Sequence, residues 1–197
     1  RIEEAPARDA VDVDDEARRI AGEVAMALTE AGRLGLHHGS LDLGAVLIDP
    51  KGAVIVRGMA TEAALRGLDP TGDEVTSADA RAIVAILYAA LTTRWPLSPA
   101  PAVDTLEARA DDDDAPRGDA DHPAPRIDGV LVPPSDLVPG VPPDLDASVD
   151  EVLGRDARPL RPQDIAALLR PWSAYPLVDL HSDLRRESAI DHLSLRT

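Results

Sequence analysis

Residues 36–48 read LHHGSLDLGAVLI, the segment of the chain with the clearest local pattern. It begins as a glycine-containing polar loop and ends in the apolar run Val46–Ile48, which is typical of a short strand. The next four residues, 49–52, read DPKG, a strong turn sequence. A second apolar run, Ala53–Val56, follows directly. The sequence therefore predicts a polar loop that leads into a β-hairpin with strands at 45–48 and 53–56.

The loop resembles the catalytic loop of protein kinases, whose pattern is HRD[LI]KPxN followed by a short apolar strand. His38 keeps the first position of that pattern and Leu41 the fourth. Ser40 stands where a kinase has its catalytic Asp, and Ala45 stands where it has its metal-binding Asn. Asp42 replaces the Lys and inverts its charge. The resemblance thus implies a kinase scaffold from which the catalytic groups have been lost.

A second kinase motif is degenerate in the same way. Where the hairpin of a kinase ends in Asp-Phe-Gly, this chain has Arg57, Gly58 and Met59, and it contains no Phe. The magnesium-binding Asp of that motif is absent. Lys51, the only lysine, lies in the turn and cannot act as the nucleotide-pairing Lys of a strand. We therefore expect a pseudokinase with no catalytic residues, no bound metal and no cofactor.

Periodic apolar residues predict helices on both sides of the hairpin. The predicted fold is mainly α with a short β-hairpin (α+β), similar to the C-terminal lobe of a protein kinase. Its most apolar helix, from about residue 77 to residue 93, should lie at the centre. Further helices are predicted at about 15–34, 144–154 and 162–169. We expect a flexible lead-in at 1–14, the kinase-like domain at 15–170 with a disordered Pro/Asp-rich insertion at about 98–126, and a tail at 171–197.

Two further positions acquire structural roles from the resemblance. Asp79 lies where the buried kinase helix has an Asp that accepts hydrogen bonds from the catalytic-loop backbone. Arg161 lies where the family has an Arg that pairs with a Glu near the activation segment, and Glu74 is the nearest candidate for that Glu. The sequence of these elements is most similar to degenerate kinase-homology domains of actinobacteria, including the one attached to the MviN-type lipid II flippase of peptidoglycan synthesis.

Composition restricts the partners. The net charge of −16 is unfavourable for binding nucleic acid or anionic lipid headgroups, so we expect neither. The chain has no cysteine and no segment that reads as a membrane span or a signal peptide. These features indicate a cytoplasmic domain, and the flippase resemblance is compatible with tethering to a membrane protein on its cytoplasmic side.

Other sites suggested by single motifs are weaker. His37 and His38 are adjacent, and adjacent residues of an extended loop point to opposite sides, which disfavours a shared metal. Ser40 and His38 lack an identifiable carboxylate that would orient a nucleophile–base pair. The run Asp111–Asp114 lacks the Gly and terminal Glu of a calcium loop and reads as a solvated linker.

Two functions of different classes remain from the sequence. The first is a catalytically inactive regulatory or protein-interaction module, and the resemblance implies a role in the control of cell-wall synthesis. Its expected partners are a Ser/Thr kinase and a forkhead-associated domain that reads phosphothreonine, with Thr197 and Thr71 as candidate phosphorylation sites. The alternative is an atypical nucleotide-binding transferase or kinase whose N-terminal lobe lies outside this chain.

Overall fold

A computed structural model of the chain describes residues 13–61, 64, 72–97 and 122–172. Within them the fold is mainly helical with two small antiparallel sheets, which agrees with the predicted α+β class. Up to residue 97, the elements in chain order are α1 (Val13–Arg33), β1 (Val46–Ile48), β2 (Val54–Val56) and α2 (Asp73–Thr92). From residue 122 onward, they are β3 (Arg126–Ile127), β4 (Val130–Leu131), α3 (Pro134–Leu137), α4 (Pro143–Leu153) and α5 (Pro162–Leu168).

Helix α2 is the centre of the core. Residues 82–89 are all buried, and the helix packs against α1, α4 and α5. Within the described residues it is the one helix long and apolar enough to cross a membrane, yet 67% of its apolar stretch is buried inside the fold, as expected of a core helix. The prediction of a central helix is confirmed, although α2 begins four residues earlier than the predicted start at Ser77.

Helix α1 places one apolar stripe against α2 and α5. Ala21, Val24, Ala25 and Leu28 are buried on that stripe at three- and four-residue steps. The helix begins at Val13, so the predicted lead-in of residues 1–14 overlaps it by two residues. The remaining twelve lead-in residues lie outside the described part of the chain.

The predicted hairpin is present, with β1 and β2 antiparallel and Leu47 opposite Ile55. A second hairpin, β3–β4, was not predicted as strands. Its turn, Asp128–Gly129, has positive φ at both residues (52° and 79°), which matches the twist of a tight hairpin. The described part of the chain therefore contains two hairpins, whereas the sequence predicted one.

The last five residues of the span 98–126, predicted to be a disordered insertion, lie in the described part of the chain. The carbonyl of His122 accepts the backbone N–H of Trp95, and the N–H of Ala124 donates to the carbonyl of Trp95, both at 2.8 Å. Residues 122–126 therefore belong to the ordered fold, while 98–121 lie outside the described residues. So do Thr71, Thr197 and residues 173–197 of the predicted tail.

Prolines define the starts of the last two helices. Pro143 and Pro162 occupy the first turn of α4 and α5, where a missing N–H costs nothing. Both helices match the predicted spans within one residue. Beyond α5, the indole of Trp172 packs against Gly22 of α1, so the first two residues assigned to the tail belong to the fold.

Candidate functional site

The polar loop before β1 is fastened to helix α2 by one carboxylate. Asp79 is 1% exposed, and its two oxygens accept the backbone N–H groups of His38 at 3.0 Å and Gly39 at 2.8 Å. This is the contact expected at its position. Burial raises the pKa of Asp79, and the two N–H donors oppose that rise. Asp79 thus fixes the loop backbone from within the core.

His38 fastens the same loop to the end of β2. Its side chain is fully buried, with Nε2 lying 2.8 Å from the carbonyl oxygen of Arg57. The backbone N–H of Ser40 lies 3.3 Å from Nδ1. The neutral tautomer with the proton on Nε2 satisfies both contacts, because Nε2 then donates and Nδ1 accepts. His38 therefore links the polar loop to the residues that follow β2.

A polar cleft of about 310 Å³ lies at the mouth of this loop. Its lining consists of residues from the loop before β1 and from the end of β2 onward, namely Ser40, Asp42, Gly44, Ala45, Arg57 and Gly58. Met59, the remaining residue of the second motif, packs against the hydrophobic core instead. The structure therefore brings Ser40, Asp42, Ala45, Arg57 and Gly58 together around one cleft, whereas His38, which is buried, and Met59, which is partly buried, do not line it.

Both charged side chains of the cleft form hydrogen bonds with backbone groups. An Asp42 oxygen accepts the N–H of Ala45 at 3.0 Å and so caps the short 3₁₀ turn Leu43–Ala45. The guanidinium of Arg57 donates to the carbonyl of Gly44 at 2.9 Å. Ser40 contacts His38 through its backbone N–H, so that hydrogen bond does not activate the hydroxyl.

The described residues contain no group of three or more His, Cys, Asp or Glu side chains that could hold a metal. Asp42 is the only carboxylate of the cleft lining. His37 lines a separate cleft of about 350 Å³ and does not share a site with His38. The arrangement can offer a cation and a hydroxyl to a ligand, but it contains no second carboxylate to complete a magnesium site.

Arg161 lies on that second cleft, at the start of α5. Its Nη2 pairs with Asp73 at 3.2 Å, not with Glu74, the candidate suggested by the sequence. Both partners are largely exposed, so the pair is screened by water. The pairing joins the first turns of α2 and α5, and α2 begins early enough to place Asp73 rather than Glu74 beside Arg161.

Two structural features were missed at the sequence level. Arg19 is buried on α1, where Glu16 and Glu23 both contact its guanidinium at 2.7 Å. Their spacing of three and four residues was a visible signal, but an Arg on a helix is usually read as solvent-facing. The contact between Gly22 and Trp172 spans most of the chain and had no local signal.

No protein-family model matches the chain, and no curated protein matches it either.

Proposed function

We propose that this chain is a pseudokinase domain, similar to a kinase C-terminal lobe, that acts as a regulatory or protein-interaction module without turnover. The observation that supports this most is the contrast within one loop. Asp79 and His38 hold the loop backbone in a defined conformation, as a catalytic loop would need. Yet the positions that should carry the base and the metal ligand are Ser40 and Ala45.

Phosphoryl transfer depends on positioning and on neutralising the charge of the γ-phosphate. A serine hydroxyl cannot accept the substrate proton at neutral pH as a carboxylate does, and a methyl group cannot bind magnesium. Asp42 is engaged as a cap, and Arg57 supplies only one tethered cation. We therefore expect the cleft to carry no phosphoryl transfer.

The test is nucleotide binding and turnover by the full chain. Thermal melting is measured with ATP, with and without magnesium, and turnover is followed with radiolabelled ATP. We expect no magnesium-dependent stabilisation and no turnover above background. Turnover that disappears in Ser40→Ala or Arg57→Gln, but persists in the distant control Asp136→Ala, would instead support the alternative of an atypical nucleotide-binding transferase or kinase.

The biological setting proposed for the module is cell-wall control on the cytoplasmic side of the membrane, as the kinase-homology resemblance implies. A phosphothreonine adds about −1.5 to −2 charges and needs an arginine-lined reader. A chain of net charge −16 is better suited to be the phosphorylated ligand than the reader. The proposed partners are therefore a Ser/Thr kinase and a forkhead-associated domain.

Phosphorylation is tested by treating the chain with a Ser/Thr kinase and then measuring forkhead-associated domain binding by calorimetry. Thr197→Ala and Thr71→Ala are compared with the unsubstituted chain. Binding that appears only after phosphorylation and is lost in one variant would assign the site. Equal binding before and after treatment would contradict the switch and leave constitutive docking as the function.

A further inference from the structure

The buried ring of His38 makes two contacts, and each contact specifies where the ring carries its proton. The residue is 0% exposed, so the ring is shielded from bulk water. Nε2 lies 2.8 Å from the carbonyl oxygen of Arg57, which can only accept, so Nε2 must carry a hydrogen. Nδ1 lies 3.3 Å from the backbone nitrogen of Ser40, which can only donate, so Nδ1 must be bare. The native loop therefore requires the neutral ring.

A second proton on this ring would break one contact and spare the other. The charged ring still donates from Nε2 to the carbonyl of Arg57. At Nδ1 the new N–H would point at the N–H of Ser40, and neither donor has an acceptor in that contact. A donor without a partner is unfavourable where water cannot replace that partner. Protonation of His38 should thus displace Ser40 and leave the Arg57 end in place.

The charged groups around the ring come from each element that contacts it. On α2, Asp79 accepts the backbone N–H of His38. Burial raises the pKa of Asp79, and positive charge on His38 or His37 opposes that rise. Arg57 after β2 and Asp42 of the same loop are each hydrogen-bonded to backbone groups. Because the carboxylate of Asp79 attracts a charged ring, burial does not exclude the protonated form.

We propose that His38 makes the cleft proton-sensitive: acidification adds a proton at Nδ1, breaks the contact with Ser40 and displaces Ser40 in the cleft lining. An imidazole in water gains its second proton at about pH 6.5, within the range in which histidine acts as a switch. Gly39 is held by Asp79 and not by the ring, so the movement should begin at Ser40. The inference concerns the cleft of the proposed pseudokinase but depends only on the hydrogen bonds of one ring.

The test follows the ring nitrogens and the backbone amides of the full chain by NMR, from about pH 7.5 to about pH 5. We expect the His38 ring to change from the neutral Nε2–H form to the charged form. Over the same interval, the hydrogen-exchange protection factor of the Ser40 amide should fall by at least about fivefold. The Gly39 amide, which is bound to Asp79, reports separately on titration of that carboxylate.

Two substitutions of His38 separate the roles of its ring nitrogens. His38→Asn places an amide oxygen near the position of Nδ1 and does not titrate, so Ser40 should keep its protection at both ends of the pH range. His38→Gln places an amide group near Nε2 and leaves no acceptor at the position of Nδ1, so Ser40 should be unprotected throughout. His37→Gln removes the neighbouring imidazole and should leave the response of Ser40 intact.

Three results would overturn the proposal. They are a constant Ser40 protection factor while the His38 ring becomes charged, a ring that stays neutral down to about pH 5, and a response in His38→Asn equal to that of the unsubstituted chain. If circular dichroism shows that a His38 variant does not fold, the ring and amide titration of the unsubstituted chain decides alone. Each of these results would leave the pseudokinase proposal standing, because that depends on the separate nucleotide measurement.

Discussion

Asp79 holds the backbone of the polar loop before β1 from within the core. Replacing Asp79 with Ala leaves the N–H groups of His38 and Gly39 without their acceptors in a buried place. We expect the free energy of unfolding to fall by about 1–3 kcal/mol, measured by urea denaturation. Asp136→Ala, at an exposed position, is the control and should change it by less than about 0.5 kcal/mol. A wild-type midpoint for Asp79→Ala would contradict this role.

The raised pKa of Asp79 also gives its contribution a pH dependence. The native state holds this proton more tightly than the unfolded chain does. The stability supplied by Asp79 is therefore fully present below the unfolded pKa, near 4, and declines as the pH rises through the raised native value. The stability difference between wild type and Asp79→Ala should shrink from pH 4 towards pH 7. A difference that grows over this range would show that the native pKa is lowered.

Arg19 offers a matched comparison with Arg33 on the same helix. Each pairs with a Glu three residues earlier, but the side chain of Arg19 is 1% exposed and that of Arg33 is 68% exposed. Arg19→Ala leaves Glu16 and Glu23 without their shared cation and should cost roughly 3 kcal/mol in unfolding free energy. Arg33→Ala should cost about 0–1 kcal/mol. Equal losses in urea denaturation would mean that burial does not govern the Arg19 cluster.

Among the secondary-structure elements, α1 packs closely against Trp172, which follows α5. A Cβ on Gly22 would lie 2.8 Å from two atoms of the Trp172 indole. Gly22→Ala should therefore destabilise the fold by about 1–3 kcal/mol despite the better helix propensity of Ala. In a Trp172→Ala background the same change should become favourable by about 1 kcal/mol. A double-mutant cycle from urea denaturation measures this, and additive effects would exclude the contact.

The elements that sequence could predict are those with strong local patterns. The β1–β2 hairpin has the DPKG turn between two apolar runs, and α4 and α5 have Pro at their first turns. The strands of β3–β4 have two residues each, which is too short for a periodic signal. Helix α2 begins before its predicted start because Gly72 provides no side-chain cap that would mark the first turn. The acidic residues Asp73 and Glu74 of that turn are the remaining local signal for the true start.

The candidate site could be predicted in its members but not in their interactions. The kinase resemblance singled out Ser40 and Asp42 in one motif and Arg57 in another, and the structure places all three on one cleft. Two interactions depend on the backbone geometry of a single helical turn: the capping of a turn by Asp42 and the pairing of Arg161 with Asp73. A pattern of residue types does not specify such geometry.

At the scale of the whole molecule, α2 links the remaining parts. It holds the loop through Asp79, Arg81 donates to the carbonyl of Val152 in α4, and Tyr88 donates to that of Val132. We expect the amides of residues 82–89 to exchange most slowly with deuterated water, because they open only on global unfolding. The β1–β2 amides, half exposed, should exchange faster. Equal rates in native-state exchange followed by NMR would contradict a single core centred on α2.

The backbone bridge between Trp95 and residues 122–124 affects which insertions and deletions the chain can tolerate during evolution. Because the bridge fixes Trp95 beside residues 122–124, we expect a change in the number of residues between them to leave the packing around α2 unaltered. Each doubling of loop length costs only about 0.6 kcal/mol in closure entropy. We therefore expect insertions between Leu97 and His122, from a peptide motif to a whole domain, to be tolerated during evolution without changes in the core.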